Sequence, residues 1–266
     1  MVAPVIFLDL DGTLIGPPGD VHPELWPALD AARQAGTALC VCTGRPSGGL
    51  ASRIASRLGP DLPHIYHGGA VIMTGRGEVV RAEAMPRPAL REMVARARRE
   101  GLTLELYTAE AIHVDAPTWM HERHLSLLDL AGRVCDLAAL VEEAPIVKAQ
   151  WIVDDDALAE RLADETPPSC FAASAGSHAM SKARFITLTR AGVDKGDAVR
   201  FVADWLGVDV AHCAAVGDSS GDIPMLEAVG RPYVMADAPA WLQARFAVLP
   251  SVAEHGVMSL FAPSSP

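Results

Sequence analysis

Short apolar runs alternate with amphipathic segments in the first third of the chain and again in the last third. Val5–Leu8, 37–42 and 213–216 are such runs, and apolar runs of this length between turn residues are typical of buried strands. Segments 23–36 and 193–205 instead place apolar residues at helical spacing. Because strands that alternate with helices form parallel sheets through right-handed crossovers, we predict an α/β fold, with a Rossmann-like parallel sheet core and helices on both faces.

The middle third mixes strand and helix patterns without that regular alternation. Strands are predicted at 103–107, 112–115, 149–153, 170–174 and 185–188, and helices at 86–100, 117–128 and 156–165. An α+β unit of this length lies within the usual size range of a domain. We therefore predict an inserted domain over residues 81–185 and a core domain formed by residues 1–80 and 186–266.

Composition and charge argue against several classes of partner. The chain has 266 residues, 50% of them hydrophobic, which is enough for a sizeable core. Its formal net charge of −11 argues against nucleic acids and membrane surfaces, because both bind basic faces. The five cysteines are scattered, as expected for free thiols in a reducing compartment. No apolar segment of the sequence reaches membrane-spanning length, and we expect a cytoplasmic protein that is a monomer or a small homo-oligomer.

Two carboxylates interrupt the end of the first apolar run. Asp9 and Asp11 follow Val5–Leu8, and residues two apart on an extended chain point to the same side. Gly12 then allows a sharp turn. An Asp-Gly turn alone would explain Asp11, but it would leave Asp9 inside an apolar run, where a buried charge needs a cation or hydrogen-bond donors. We therefore predict that the tip of a central strand presents both acids into a ligand-binding crevice.

Polar residues also stand at two further strand ends and at one helix start. They are Thr43, Gly44 and Arg45 after the second strand, Lys195 at the start of a helix, and Asp218 and Asp222 after the strand at 213–216. Carboxylates in one place suit Mg²⁺, which binds them together with waters and a substrate phosphate. One Asp can attack a phosphoryl group, a second can protonate the leaving oxygen, and a Thr and a Lys can hold the remaining phosphoryl oxygens. Together the clusters predict phosphoryl transfer.

In this order the clusters resemble the four motifs of the haloacid dehalogenase superfamily of phosphatases. The matching segments are Asp9-Leu10-Asp11-Gly12-Thr13-Leu14, Thr43-Gly44-Arg45, Lys195-Gly196 and Gly217-Asp218-Ser219-Ser220-Gly221-Asp222. About 150 residues separate the second motif from the third, which is similar to the Cof-like sugar-phosphate phosphatases with a large α/β cap inserted there. The resemblance implies that residues 81–185 form such a C2-type cap, which would close over the substrate and exclude water.

The resemblance also implies a reaction and a role for each matching residue. Asp9 would be the nucleophile and a metal ligand. Asp11 would be the general acid/base, and its backbone carbonyl would also bind the metal. Asp218 and Asp222 would be further metal ligands, and the phosphate or substrate ligands would be Thr43, Gly44, Arg45 and Lys195. The reaction would be Mg²⁺-dependent hydrolysis of small phosphorylated metabolites, such as sugar or polyol phosphates, through an aspartyl-phosphate intermediate. Dehalogenases lack the second Asp of the first motif, so Asp11 indicates phosphoryl transfer.

Two departures from the family pattern and two other functions bear on this interpretation. Gly221 and Gly68 stand where Cof-like proteins usually have Asn. The amide groups of those Asn side chains are therefore missing near the site, which weakens the inference that this chain acts on the common substrates of Cof-like proteins.

A phosphomutase or phosphotransferase would pass the phosphoryl group to a sugar rather than to water. A phospho-acceptor signalling module would share the acidic pair, a Thr and a Lys, but it needs neither an inserted domain nor a leaving-group acid such as Asp11.

The inserted domain carries polar residues for which the predictions are less specific. His113, His121 and His124 lack matching ligands at metal-binding spacing, so we expect surface or packed histidines. His178, Lys182 and Arg184 lie close to the return into the core and could reach an anionic substrate, although residues of these types are more often simply on the surface.

Overall fold

A computed structural model describes residues 3–16, 19–177 and 180–261. Its strands are β1 (Val5–Leu8), β2 (Ile15–Gly16), β3 (Asp20–Val21), β4 (Ala38–Val41), β5 (Pro63–Tyr66), β6 (Val71–Thr74), β7 (Val79–Ala82), β8 (Thr103–Tyr107), β9 (Ile112–Val114), β10 (Gly132–Val134), β11 (Lys148–Val153), β12 (Cys170–Ser177), β13 (Met180–Arg190), β14 (Ala214–Gly217), β15 (Arg231–Met235) and β16 (Ala247–Leu249). Its helices are α1 (Leu25–Gln34), α2 (Gly49–Leu58), α3 (Arg87–Glu100), α4 (Trp119–Leu128), α5 (Leu137–Glu143), α6 (Asp156–Asp164), α7 (Lys195–Trp205), α8 (Ile223–Ala228) and α9 (Ala240–Gln243). Across these described ranges, no helix combines the length and the apolar character needed to cross a membrane.

The first sheet is parallel and has the strand order β16-β15-β14-β1-β4. Strand β1 lies inside it, with Leu8 opposite Val216 of β14 and Val41 of β4. Phe7 packs on the side of helices α7 and α8, while Leu8 points to the other face, and both side chains are fully buried. A strand that is covered on both faces has to be apolar throughout, which explains the uninterrupted run of β1. The predicted α/β fold with a parallel core is confirmed.

The chain divides into two compact units. The first unit comprises residues 1–45, 50–80 and 194–266, and the second comprises 46–49 and 81–193. Besides the parallel sheet, the first unit contains the β2–β3 hairpin and the sheet β5-β6-β7, whose last strand continues past residue 80 into the second unit. The second unit is built on a six-stranded sheet in the order β10-β9-β8-β11-β13-β12.

Helices cover both faces of the sheet in the second unit. Leu104, Trp151 and Leu188 belong to a buried cluster that includes residues of α3, α5 and α6. The opposite face carries polar side chains, among them Glu105 and Gln150, which are buried beneath helix α4. This α+β arrangement agrees with the mixed strand and helix patterns in the middle of the sequence.

The return from the second unit to the first comes later than the predicted residue 186. Strand β13 continues to Arg190 and pairs with both β11 and β12, and the first unit resumes at Asp194. The strand pattern at 185–188 does not reveal which sheet the strand joins, because pairing partners are set by tertiary structure. Strand β10 and helix α5 were not predicted. Both are short, and the exposed Val134 of β10 gives no alternating burial pattern.

Candidate active site

The predicted residues gather at the carboxyl edge of the parallel sheet. Asp9 directly follows β1, and its backbone N–H donates to the carbonyl of Val216 at 3.0 Å. Thr43 lies two residues beyond β4, and Asp218 directly follows β14. Lys195 is the first residue of α7. In open α/β sheets, ligands bind at this edge of the strands.

A buried ion pair network forms the centre of the site. The Lys195 ammonium lies 2.7 Å from Asp9 Oδ1 and 2.6 Å from Asp222 Oδ1, and all three side chains are buried. Burial raises the pKa of Asp9 well above its usual value, and the Lys195 charge opposes this shift. Burial alone would lower the pKa of Lys195, but the Asp222 and Asp9 carboxylates raise it well above its usual range. Lys195 therefore remains a cation between two carboxylates.

The second oxygen of Asp222 is held by three donors. Asp222 Oδ2 accepts hydrogen bonds from the backbone N–H groups of Asp218 and Ser219 at 3.1 and 3.0 Å, and from Ser219 Oγ at 2.9 Å. These bonds fix the carboxylate in the plane that presents Oδ1 to Lys195. Sequence reasoning assigned no role to Ser219. The available signal was a Ser three residues before an Asp, the pattern of a capping box, which the structure forms here.

Three carboxylates lie close enough together to share a cation. Oxygens of Asp9, Asp218 and Asp222 lie within 4.8 Å of one another. Burial, with a smaller effect of the Asp222 charge, raises the pKa of Asp218 to about 7. The four predicted acidic side chains are thus matched by only two basic ones, Lys195 and Arg45. A divalent cation would offset this excess of acidic groups, and an all-oxygen donor set suits Mg²⁺. The residues present therefore fit a magnesium ion.

Two glycines allow the loops of the site to approach one another. Gly12 has a φ of +78°, and a Cβ placed there would lie 2.2 Å from Asp218 Oδ2. Gly69 has a φ of +110°, and its Cβ would lie 2.2 Å from the carbonyl oxygen of Asp194, the N-cap of α7. Any side chain at these positions would push Asp218 or the start of α7 away from the site.

The two positions that depart from the family pattern have room for a side chain. A Cβ at Gly68 would meet no atom within 4 Å, and its φ of +67° is one that Asn also adopts. A Cβ at Gly221 would lie 3.6 Å from Ser219 Oγ, an ordinary contact distance. The packing of the fold therefore does not explain why glycine occupies either position.

Asp11 lies outside the group of three carboxylates. It is the exposed member of the acidic pair, with 58% of its side chain accessible. Arg45 binds it with two hydrogen bonds, from Nε to Oδ2 at 2.8 Å and from Nη2 to Oδ1 at 2.6 Å. The expectation that Asp9 and Asp11 lie on an extended strand is wrong, because β1 ends at Leu8. The chain already turns at Leu10, whose carbonyl accepts the N–H groups of the three residues from Thr13 onward.

The loop after β4 is braced by the loop after β5. The buried Thr43 hydroxyl accepts the Arg45 N–H at 3.1 Å. The Gly68 N–H donates to the Thr43 carbonyl at 3.0 Å, and the His67 N–H donates to the Arg45 carbonyl at 2.9 Å. Gly44, between them, is exposed. These bonds hold the Thr43–Gly44–Arg45 turn beside the end of β1, because β4 is the neighbour of β1.

The polar residues singled out in the inserted segment differ in their burial and in their contacts. His121 and His124 are packed, and both rings hydrogen-bond to the buried Glu105. Lys182 is exposed, and Arg184 forms an ion pair with Asp156 at 2.6 Å. His178 lies outside the described residues.

Comparisons with known proteins place the chain in a family. The family model for haloacid dehalogenase-like hydrolases matches residues 6–261. The phosphatase YwpJ of Bacillus subtilis is 27% identical over 280 residues, covering 95% of this chain and 96% of that protein. The pyridoxal phosphate phosphatase YbhA of Escherichia coli is 27% identical over 263 residues, covering 92% of each.

A solved structure shares the fold over nearly the whole chain. A sugar phosphatase of haloacid dehalogenase subclass IIB superimposes with a TM-score of 0.81 at 21% identity, covering 96% of each chain. The order of the motifs, the parallel core and these matches agree with one another. The chain belongs to the haloacid dehalogenase-like hydrolases, in the Cof-like subgroup, and is a phosphatase.

Proposed function

We propose that the protein is a Mg²⁺-dependent phosphatase of small phosphorylated metabolites, sugar or polyol phosphates first among them, and that it works through an aspartyl-phosphate on Asp9. The observation that carries the proposal is the buried Asp9–Lys195–Asp222 network at the carboxyl edge of the sheet, with Asp218 in reach. Mg²⁺ bound by the carboxylates would supply positive charge that offsets the phosphoryl oxygens and orients the substrate.

In the first half of the reaction, a carboxylate oxygen of Asp9 attacks the phosphorus atom. The bond between phosphorus and the ester oxygen breaks, and Asp11 gives its proton to the leaving oxygen. Lys195, held between Asp9 and Asp222, offsets negative charge on the phosphoryl oxygens. In the second half, Asp11 takes a proton from water as the water oxygen attacks phosphorus. Phosphate leaves, and Asp9 is restored.

The Arg45–Asp11 pair bears on how Asp11 reaches the leaving group. The two hydrogen bonds from Arg45 engage both carboxylate oxygens of Asp11. Contact between Asp11 and the leaving oxygen therefore requires that the pair opens. We propose that the substrate draws the Arg45 guanidinium away by offering it phosphate oxygens, which frees Asp11 for proton transfer.

The substrate class rests on the relatives. The related proteins are named for pyridoxal phosphate and for HMP-PP, and a structural neighbour is a sugar phosphatase. All of these are small phosphorylated molecules. Gly68 and Gly221 leave room at positions that usually carry Asn, and this supports a substrate range different from that of the common Cof-like enzymes.

The test is phosphate release from a panel of phosphorylated metabolites, with Mg²⁺ and with EDTA. The variants are Asp9→Asn and Asp11→Asn, with Asp204→Asn, an exposed residue of α7, as the matched control. We expect turnover that requires Mg²⁺, that is abolished in Asp9→Asn and strongly reduced in Asp11→Asn, and that is unchanged in Asp204→Asn.

Two results would overturn parts of the proposal. Turnover by Asp9→Asn at the wild-type rate would remove Asp9 as the nucleophile. Phosphoryl transfer that occurs only when a sugar acceptor is supplied would replace hydrolysis by a phosphotransferase reaction.

A further inference from the structure

We propose that His22, Glu24 and His255 form a second cation site, specific for a borderline transition metal such as Zn²⁺, which ties the C-terminal segment to the start of helix α1. The three residues belong to the first unit and lie outside the catalytic motifs. His22 and Glu24 stand just before α1, and His255 lies between the 3₁₀ turns Val252–Glu254 and Gly256–Leu260.

The three side chains converge from two distant parts of the sequence. One potential ligand atom from each lies within 4.8 Å of the other two. The imidazole rings of His22 and His255 stack with their centroids 4.1 Å apart. His255 Nε2 lies 3.5 Å from Glu24 Oε2. Two nitrogens and one carboxylate oxygen are thus gathered at one spot.

An ion pair alone does not account for this arrangement. The Glu24 side chain is 72% exposed, and exposed ion pairs contribute little to stability. His255 also adopts a left-handed backbone with φ of +58°, which is uncommon for a residue other than glycine. Its Nδ1 is buried and has no hydrogen-bond partner in the described part of the chain, so Nε2 is the nitrogen available to a ligand.

The donor set separates this site from the catalytic one. Imidazole nitrogens suit Zn²⁺, Ni²⁺ and Cu²⁺, and two histidines with one Glu are a known Zn²⁺ ligand combination that leaves one position for water. Mg²⁺ prefers the all-oxygen set of Asp9, Asp218 and Asp222. Excess Mg²⁺ can therefore occupy the carboxylate site without competing for the histidines.

The position of the site gives it a structural consequence. His22 follows directly on the β2–β3 hairpin, which itself follows the catalytic loop. A metal ion held by His22 and His255 would join the end of this hairpin to the C-terminal segment. Because binding would occur only in the folded state, Zn²⁺ should raise the melting temperature.

The test is a Zn²⁺ titration by calorimetry, on protein stripped of metal by EDTA and then held in excess Mg²⁺. The variants are His22→Ala, His255→Ala and Glu24→Gln, and the control is His212→Ala, an exposed histidine that is not a member of the cluster. We expect one Zn²⁺ per wild-type chain, and affinity weaker by about 100-fold or more in either histidine variant and by about tenfold in Glu24→Gln. His212→Ala should bind as the wild type does.

Melting temperatures and Cu²⁺ spectra provide independent readouts. Zn²⁺ should raise the melting temperature of the wild type and of His212→Ala, but not of His22→Ala. Bound Cu²⁺ should show electron paramagnetic resonance couplings to two nitrogens in the wild type. Should His255→Ala fail to fold, His22→Ala tests the site from the other segment. Equal Zn²⁺ affinity in His22→Ala and the wild type, or an absence of Zn²⁺ binding by the wild type, would overturn the proposal.

Discussion

Replacing Gly12 by alanine should displace Asp218. A Cβ at Gly12 would lie 2.2 Å from Asp218 Oδ2, and an ordinary contact needs 3.4 Å, so the carboxylate or the turn has to move by 1.2 Å. A displacement of about 1 Å in a catalytic arrangement can cost on the order of 100-fold in rate. We therefore expect Gly12→Ala to lose about 100-fold in kcat/KM and to need more Mg²⁺ for half-maximal activity.

A matched control separates this displacement from backbone strain. Gly207 has a similar φ of +68°, but a Cβ there would meet no atom within 4 Å. Alanine in a left-handed conformation costs about 1–2 kcal/mol, so urea denaturation should show this loss in both Gly12→Ala and Gly207→Ala. Phosphatase assays over a range of Mg²⁺ concentrations should show the activity loss in Gly12→Ala alone. Wild-type kcat/KM and Mg²⁺ dependence in Gly12→Ala would refute the reasoning.

Three further predictions concern buried ionisable side chains. Lys195→Met leaves two buried carboxylates without their cation, so urea denaturation in EDTA should show a loss of about 3–5 kcal/mol, and Mg²⁺ should restore part of it; no loss would contradict the ion pair network. Burial would raise the pKa of Glu105, but hydrogen bonds from His121 and His124 outweigh it and hold the pKa at about 2. The stabilising effect of the ionised Glu105 should be complete above pH 4.5, the ordinary pKa of Glu, and should disappear as the pH falls to about 2. The stability difference between wild type and Glu105→Gln should shrink by about 3 kcal/mol over that range, and a constant difference would refute this. Burial lowers the pKa of His64 from 6.5 to about 4. As the pH falls from 6.5 to about 4, the free energy of unfolding of the wild type should therefore decrease more steeply than that of His64→Gln. Parallel curves of unfolding free energy against pH would argue against a buried neutral His64.

The candidate site residues could be predicted from the sequence alone, because each motif consists of residues that are close together along the chain. An Asp inside an apolar run, as at Asp9, conflicts with burial unless a partner compensates it, and that conflict is visible without a structure. The alternation of strands and helices likewise predicted the parallel core, because strand and helix periodicities are local properties. The roles of the site residues, the cytoplasmic location and the oligomeric state stay predictions.

Tertiary structure decided everything that depends on which distant segments meet. The ion pair between Asp11 and Arg45 joins residues 34 positions apart, and the sequence contains no pattern that pairs them. The approach of Asp218 to Gly12, the sheet that strand β13 joins, and the convergence of His22 with His255 have the same origin. Local periodicity specifies elements, whereas contacts between elements follow from how their buried faces pack together, and only the folded chain brings those faces into contact.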